Sequence, residues 1–153
     1  MTFKINIATK EGKTFHIETE SEDLSGKKLH DTVQGKEISQ DLNGYEFEIS
    51  GASDKAGFTA MEDVEGTMLK KVLLTYGKGM KKRPKKEGKK KRAKNRPKGL
   101  RLRKTVRGNT ISADTIQINL KILKEDGKKL SEVFPEQNQP KVAETKPAEQ
   151  KTK

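Results

Sequence analysis

Lysine and arginine side chains are concentrated in one segment, and the chemistry they offer is the binding of phosphate groups. Residues 78–107, which we call the basic segment, hold 17 of the 34 Lys and Arg residues and a single acid, Glu87. Such closely spaced cations repel one another, and a polyanion removes that repulsion and releases counterions. If about half of them met phosphates of a single strand, log K would fall with log salt concentration at a slope of roughly −6.

The basic segment favours contacts with phosphate and sugar over base stacking. It contains no aromatic residue, and bases stack mainly on aromatic rings. Glycines, together with Pro84 and Pro97, interrupt any long helix and favour an irregular path along a folded RNA, although charge alone leaves DNA open as a ligand. The predicted RNA-binding residues are Lys55, Lys81, Lys82, Arg83, Lys85, Lys86, Lys89, Lys90, Lys91, Arg92, Lys94, Arg96, Lys98, Arg101, Arg103, Lys104 and Arg107.

Other kinds of site find little support in the sequence. The two histidines, His16 and His30, have no second histidine or cysteine at metal-ligand spacing, so we expect surface histidines. GKK at 26–28 lacks the earlier glycine and the following Ser or Thr of a P-loop, and GKG at 77–79 lacks the third glycine of a dinucleotide fingerprint. We therefore predict no catalytic residues, no metal, no cofactor and no small-molecule substrate.

The charge outside the basic segment is acidic or close to neutral. Residues 1–77 have a net charge of −5 and the basic segment has +16, while the whole chain has +12. No cysteine is present, which excludes disulfides and thiolate zinc sites. No apolar run approaches the roughly 20 residues of a membrane span, and the first residues do not resemble a secretory signal. These features favour a soluble intracellular protein that carries one concentrated cationic segment.

Alternating apolar residues predict five strands and no long amphipathic helix. The predicted strands are residues 2–8, 13–20, 45–50, 70–76 and 115–123. The first two are expected to form a hairpin, and the apolar run at 70–76 indicates a buried strand.

The expected fold class is mainly β, with a small β-barrel-like domain over residues 1–130. The basic segment would be a long insertion between two strands, irregular or partly helical, and an insertion of that length is usually functional. Residues 131–153 hold three of the five prolines among Glu, Gln and Lys, so we expect a disordered tail.

Two ordered motifs are more specific than composition. GASDKAGF at 51–58 and RKTVRGNTIS at 103–112, with the basic tract between them, resemble the small-subunit ribosomal protein S6 family of the eukaryotic and archaeal type. The resemblance covers about residues 1–125. Further similar stretches, in the same order, are NIATKEGKTF near the start, GKKLHDTV at 26–33, VLLTYG at 72–77 and DTIQINLKIL at 114–123.

The resemblance implies a β-barrel-like N-terminal part and a structural, non-enzymatic role. The protein would bind ribosomal RNA in the cytoplasmic small subunit, beside neighbouring ribosomal proteins. The matching motif positions are Gly51, Ser53, Asp54, Lys55, Gly57 and Phe58, and then Arg103, Lys104, Val106, Arg107 and Gly108. The cations nearest the following strand are expected to be best placed, and arginine's planar group suits bidentate phosphate contacts. They are Arg101, Arg103, Lys104 and Arg107. Lys55 either approaches RNA or belongs to a purely structural turn.

The chain also departs from the family pattern. Thr59 and Ala60 stand where the family usually has Pro-Met, and lysine outnumbers arginine in the basic tract. The C-terminal serine cluster of eukaryotic members is missing, and the length resembles archaeal members. The alternative function is a nucleic-acid or chromatin-type binder that works off the ribosome, and the basic segment read alone could be a solvated charge run or a nuclear address signal. The ordered motifs favour the ribosomal role.

Overall fold

A computed structural model describes residues 2–81, 83, 98–126, 129–135, 137 and 138. Within these residues the strands are β1 (Thr2–Ala8), β2 (Thr14–Glu20), β3 (Thr32–Gln34), β4 (Tyr45–Asp54), β5 (Leu69–Leu74), β6 (Leu102–Arg107) and β7 (Thr115–Glu125). Two 3₁₀ turns, Gly35–Glu37 and Gln40–Leu42, precede β4, and a short helix, α1 (Leu130–Val133), follows β7. None of the described helices has the length and apolar content needed to cross a bilayer.

Five strands form one sheet in the order β2-β1-β7-β4-β3. β1 pairs antiparallel with β2 and parallel with β7, and β7 pairs antiparallel with β4. The mainly β class is therefore confirmed. The barrel-like closure is not, because the described sheet is open and has β2 and β3 at its edges.

Alternating apolar side chains of the sheet form the core. Phe3, Ile5 and Ile7 of β1 are fully buried, as the period-2 pattern predicts. Burying a side chain of this size contributes about 1.5–3 kcal/mol. The other strands of the sheet contribute Phe15, Val33, Phe47, Ile49, Ile118, Leu120 and Ile122, and the connection from β2 to β4 contributes Leu24, Leu29, Ile38 and Leu42.

The hairpin of β1 and β2 and the strands β4 and β7 confirm the sequence predictions. The expectation of a buried strand at 70–76 is wrong. β5 pairs with β6 in a separate two-stranded sheet, which we call the ribbon. Leu69 and Leu73 of β5 are 46% and 57% exposed, because no described element covers that face of the ribbon. β3 and β6 were missed, since one has three residues and the other is rich in cations.

The first residues after α1 pack along the edge strand β2. The ring centroids of Phe134 and Phe15 lie 6.1 Å apart. The Gln137 amide accepts a hydrogen bond from His16 N at 2.7 Å and donates one to His16 O at 2.8 Å. Apolar packing and side-chain amides fix residues 131–135, 137 and 138 of the predicted tail. The rest of the predicted tail, residue 136 and residues 139–153, lies outside the described residues.

Candidate nucleic-acid interface

The ribbon brings the two ends of the basic segment together. β5 and β6 pair in antiparallel register from Leu69 opposite Arg107 to Leu74 opposite Leu102. The chain therefore leaves and re-enters the ribbon at one end. Just after β5, Gly77 and Met80 close a tight turn through reciprocal backbone hydrogen bonds, and the Met80 side chain is buried. The predicted insertion therefore begins and ends at the same end of the ribbon.

The last residue of β6, Arg107, binds carboxylates inside the protein. Its Nε donates to Asp54 Oδ2 at 3.1 Å, and its Nη1 donates to Thr67 O at 2.9 Å and to Asp114 Oδ2 at 3.1 Å. The Arg107 side chain is 12% exposed and that of Asp54 is 2% exposed. Arg107 therefore differs from the predicted RNA contact: its guanidinium is occupied by protein acceptors, so we leave it out of the proposed interface.

Asp54 also shapes the turn that carries Lys55. Its Oδ1 accepts a hydrogen bond from Phe58 N at 2.7 Å, and its backbone N donates to Phe58 O at 3.1 Å. Gly57 closes the turn with φ of +85°, a conformation that favours glycine. The turn leaves the Lys55 side chain exposed. Its built-in hydrogen bonds give the turn a structural role and hold a cation at its tip.

The stretch GNTI at 108–111 ties the base of the ribbon to two loops. Gly108 N donates to Met68 O, Asn109 N donates to Val64 O and Thr110 N donates to Gly66 O, while Ile111 N donates to Lys27 O. A Cβ at Gly108 would lie 1.9 Å from Gly66 O, so that position accommodates glycine alone without a shift of the backbone. The most specific motif of the sequence is therefore structural in its central part.

A groove of about 500 Å³ lies between the Lys55 turn and β6. We call it the basic groove. Its described lining contains four cationic side chains and no acidic one. The cations are Lys81, Arg83, Arg103 and Lys104, and the remaining lining residues are Gly57, Phe58, Thr59, Gly79, Leu102, Thr105 and Val106. A concave surface with charges of one sign concentrates the electrostatic field and attracts the opposite charge.

The other predicted contacts are divided between exposed and undescribed positions. Lys98 and Arg101, which lead into β6, are exposed, and so are Lys81, Arg103 and Lys104 of the groove. Nine predicted cations lie outside the described residues: Lys82, Lys85, Lys86, Lys89, Lys90, Lys91, Arg92, Lys94 and Arg96.

Sequence reasoning missed three residues of this region. Lys70 and Lys71 are exposed on β5, directly beside β6, and Phe58 lines the basic groove. The adjacent lysines at the start of the apolar run were a visible signal. Phe58 was named only as a motif position and not as a contact, because the basic segment that it faces begins twenty positions later in the chain.

The histidines lie away from the groove. His30 has φ of +71° and is half-exposed, with Glu48 2.8 Å from its Nδ1 and Glu62 2.9 Å from its Nε2. The hydrogen bond with Glu48, supported by Glu62, raises the pKa of His30 above 6.5, and the same bond lowers the pKa of the Glu48 carboxyl. Because the two carboxylates sit on opposite ring nitrogens, they do not converge on a metal position. Across the described ranges, no group of three or more His, Cys, Asp or Glu residues is arranged to hold one.

The chain is similar to known proteins over most of its length. The family described as Ribosomal protein S6e matches residues 3–97 and 93–135. A small ribosomal subunit protein eS6 of Methanococcus maripaludis is 41% identical over 124 residues, covering 80% of this chain and 88% of the relative. The proteins of the same name in Methanosphaera stadtmanae and Methanocaldococcus jannaschii are 38% and 37% identical, covering 89% and 82% of this chain and 95% and 84% of the relatives.

The family match extends across both motifs and the basic segment between them. Identity of this level over most of both chains is evidence of shared ancestry along the whole domain. Members of the matched family are structural proteins and not enzymes. The chain therefore belongs to the Ribosomal protein S6e family.

Proposed function

We propose that this chain is a structural component of the small ribosomal subunit, where it holds ribosomal RNA with the basic segment and the basic groove. The observation that carries the proposal is the groove, whose described lining has four Lys or Arg side chains and no acid. The relatives are named as small ribosomal subunit proteins, and the shared family supports the same role here. The protein would work in cytoplasmic subunits beside neighbouring ribosomal proteins.

The fold suggests different roles for the cations on the ribbon and for the rest of the basic segment. Arg103 and Lys104 of the groove stand on the paired strand β6, so their backbone loses little freedom when RNA binds. Lys104 pairs across the ribbon with Val72, and Arg103 pairs with Leu73. These residues would set the position of the domain on the RNA backbone. The rest of the basic segment would follow the RNA and neutralise its phosphates, which determines affinity more than sequence preference.

The first 77 residues and the basic segment carry opposite net charges. The net charge of −5 belongs to residues 1–77, and that of the basic segment is +16. Glu48 and Glu62 are engaged with His30, and Asp54 with Arg107. An asymmetric charge of this kind would orient the domain as it approaches a polyanion.

Salt-dependent binding of purified small-subunit ribosomal RNA tests the proposal. In the full chain, Arg103→Gln with Lys104→Gln removes two groove cations, and Lys10→Gln with Lys36→Gln removes two exposed cations elsewhere on the domain. The groove variant should bind more weakly and lose roughly 1.5 from the magnitude of the salt slope, because each phosphate contact contributes about 0.7–0.9. The control pair should bind as the wild type does. Equal losses from both pairs would contradict the groove as the docking site.

A charge-preserving scramble of residues 81–98 distinguishes this function from the alternative. A generic nucleic-acid or chromatin-type binder depends on charge alone and should tolerate the scramble. Docking at a defined place should instead weaken, and binding to subunit RNA should fall relative to binding to an unrelated RNA of equal length.

A further inference from the structure

The basic groove combines two chemically different surfaces. Cationic side chains line one part, and the apolar side chains of Phe58, Leu102 and Val106 line another. Gly57 and Gly79 add no side chain to the walls. The cations are sufficient to bind phosphate. Phosphate binding therefore does not account for the aromatic residue in the same groove.

The position of Phe58 is fixed before any ligand arrives. Its backbone N is held by the Asp54 carboxylate and its O by Asp54 N, and Asp54 is held in turn by Arg107. The side chain of Phe58 is partly exposed at the groove. Because the backbone that carries the ring is already fixed, only the side-chain torsions of Phe58 lose freedom when a ligand binds.

An unpaired nucleotide matches both surfaces. Its base has a flat apolar face that stacks on aromatic rings, and its phosphates need cations. A base within a helix has both faces covered by its neighbours, so proteins read RNA bases mainly in loops, bulges and ends. The groove volume of about 500 Å³ falls within the usual range of small-molecule sites, roughly 300–1,000 Å³. Thr59 and Thr105 also line the groove, and the threonine side chain carries a hydroxyl that hydrogen-bonds polar groups such as base edges.

We propose that the basic groove takes one unpaired nucleotide of the bound RNA, with its base on Phe58 and its phosphates on Lys81, Arg103 and Lys104. This inference rests on the proposed RNA-binding function and extends it from phosphate neutralisation to recognition of a local RNA feature. It assigns Phe58 a binding role that the composition of the basic segment, which has no aromatic residue, could not indicate.

Two RNA hairpins with the same number of phosphates test the inference on the full chain. One carries a single bulged adenosine, and the other carries an abasic nucleotide at that position. We expect the wild-type chain to bind the first hairpin roughly tenfold more tightly, because stacking on the aromatic ring requires the base. Equal binding of both hairpins would overturn the inference, and this comparison needs no mutation.

Phe58→Leu supplies the matched variant, since it keeps an apolar side chain and removes the aromatic face. We expect it to bind both hairpins alike, with the salt slope of the wild type, because the phosphate contacts remain. A Phe58→Leu chain that keeps the tenfold preference overturns the role of the ring. Tighter binding of an acidic tyrosine-containing peptide than of the bulged hairpin, seen with the wild type and lost in Phe58→Leu, would make the groove a protein-binding site and also overturn the inference.

The inference and the proposed function fail in different ways. If the wild type binds both hairpins equally and with a steep salt slope, the nucleotide site is wrong while RNA binding stands. If neither hairpin binds, or if the salt slope is shallow for both, the RNA-binding function is wrong and the nucleotide site fails with it.

Discussion

Asp54 Oδ2 lies 3.1 Å from Arg107 Nε, and this ion pair joins the two sequence motifs through residues that are 53 positions apart in the chain. Asp54 ends β4 and shapes the Lys55 turn, whereas Arg107 ends β6. The pair therefore fixes the two walls of the basic groove relative to each other. A cation of the basic segment is used to build the interface instead of facing the ligand.

Loss of the Asp54 carboxylate should be costly. Asp54→Ala leaves the nearly buried Arg107 guanidinium without its main partner and leaves Phe58 N without an acceptor. We expect the free energy of unfolding to fall by about 3–5 kcal/mol, the usual cost of breaking a buried pair by removing one partner. Denaturant unfolding followed by circular dichroism measures it.

Asp114→Ala is the matched control for that change. Asp114 contacts the same arginine, but its side chain is 70% exposed, so we expect a loss below about 1 kcal/mol. If the two variants lost similar amounts of unfolding free energy, burial of the Asp54 pair would not be the source of its contribution to stability.

Gly108→Ala tests the tie between the ribbon and its neighbouring loop. The new Cβ would lie 1.9 Å from Gly66 O, so the backbone must move and the hydrogen bonds of residues 108–111 must stretch. We expect a loss of at least about 1–3 kcal/mol, as for other overpacked sites, measured as a lower midpoint of thermal or denaturant unfolding. At Gly51 the nearest atom to an added Cβ is Asn119 Nδ2 at 3.7 Å. Gly51→Ala should therefore leave the unfolding midpoint nearly unchanged. A Gly108→Ala protein as stable as Gly51→Ala would contradict the close contact between Gly108 and Gly66.

The His30 bridge should make stability depend on pH. Because the folded pKa of His30 is raised, its contribution is complete below the ordinary value of 6.5 and is lost as the pH rises through the raised value. Because the pKa of Glu48 is lowered, its contribution is present above 4.5 and is lost as the pH falls through the lowered value. The bridge should therefore stabilise the fold most between these two limits.

His30→Asn measures that contribution, since asparagine tolerates the positive φ of this position. Unfolding free energies of the two proteins should differ most between pH 4.5 and 6.5 and converge at alkaline pH. Lys121 also faces Glu48 and lowers the pKa of its carboxyl. The variant should therefore still lose stability as the pH falls through the lowered pKa of Glu48. A difference between the two proteins that stays constant with pH would rule out the bridge as its source.

Shortening the chain tests the packing of residues 130–135, 137 and 138 on β2. A chain that ends at Lys129 loses the Phe134 contact with Phe15 and the Gln137 hydrogen bonds to His16. It should be less stable by about 2 kcal/mol or more and should associate through the uncovered edge strand. Unfolding and light scattering measure the two effects. A chain that ends at Asn138 keeps every one of these contacts and should match the full chain; equal behaviour of the two shortened chains would contradict the role of this segment.

Sequence predicted the parts of the fold that depend on local pattern. The alternation of Phe3, Ile5 and Ile7, and that of Phe47 and Ile49, gave the core strands because one face of a sheet must be apolar. The exposure of β5 could not be predicted, because an apolar run is buried only if another layer covers it. Its partner β6 was hidden by lysine and arginine, which are not typical of strands.

The candidate site was predicted by charge but not by arrangement. Clustered cations indicated phosphate binding, and Lys81, Arg103 and Lys104 do line one groove. The ion pair of Asp54 with Arg107 depends on tertiary contact across 53 residues, so Arg107 looked like any other cation of the segment. The motif included Phe58, but its place in the groove could not be predicted for the same reason.

Sedimentation of the tagged protein from its own host tests the central claim most directly. The lysate is washed at high salt before the density gradient, because a segment of net charge +16 binds any RNA at low salt. A structural component of the small subunit should stay with small subunits in a ratio close to one to one. Release of the protein into the light fractions by salt would contradict the ribosomal role and leave a generic polyanion binder.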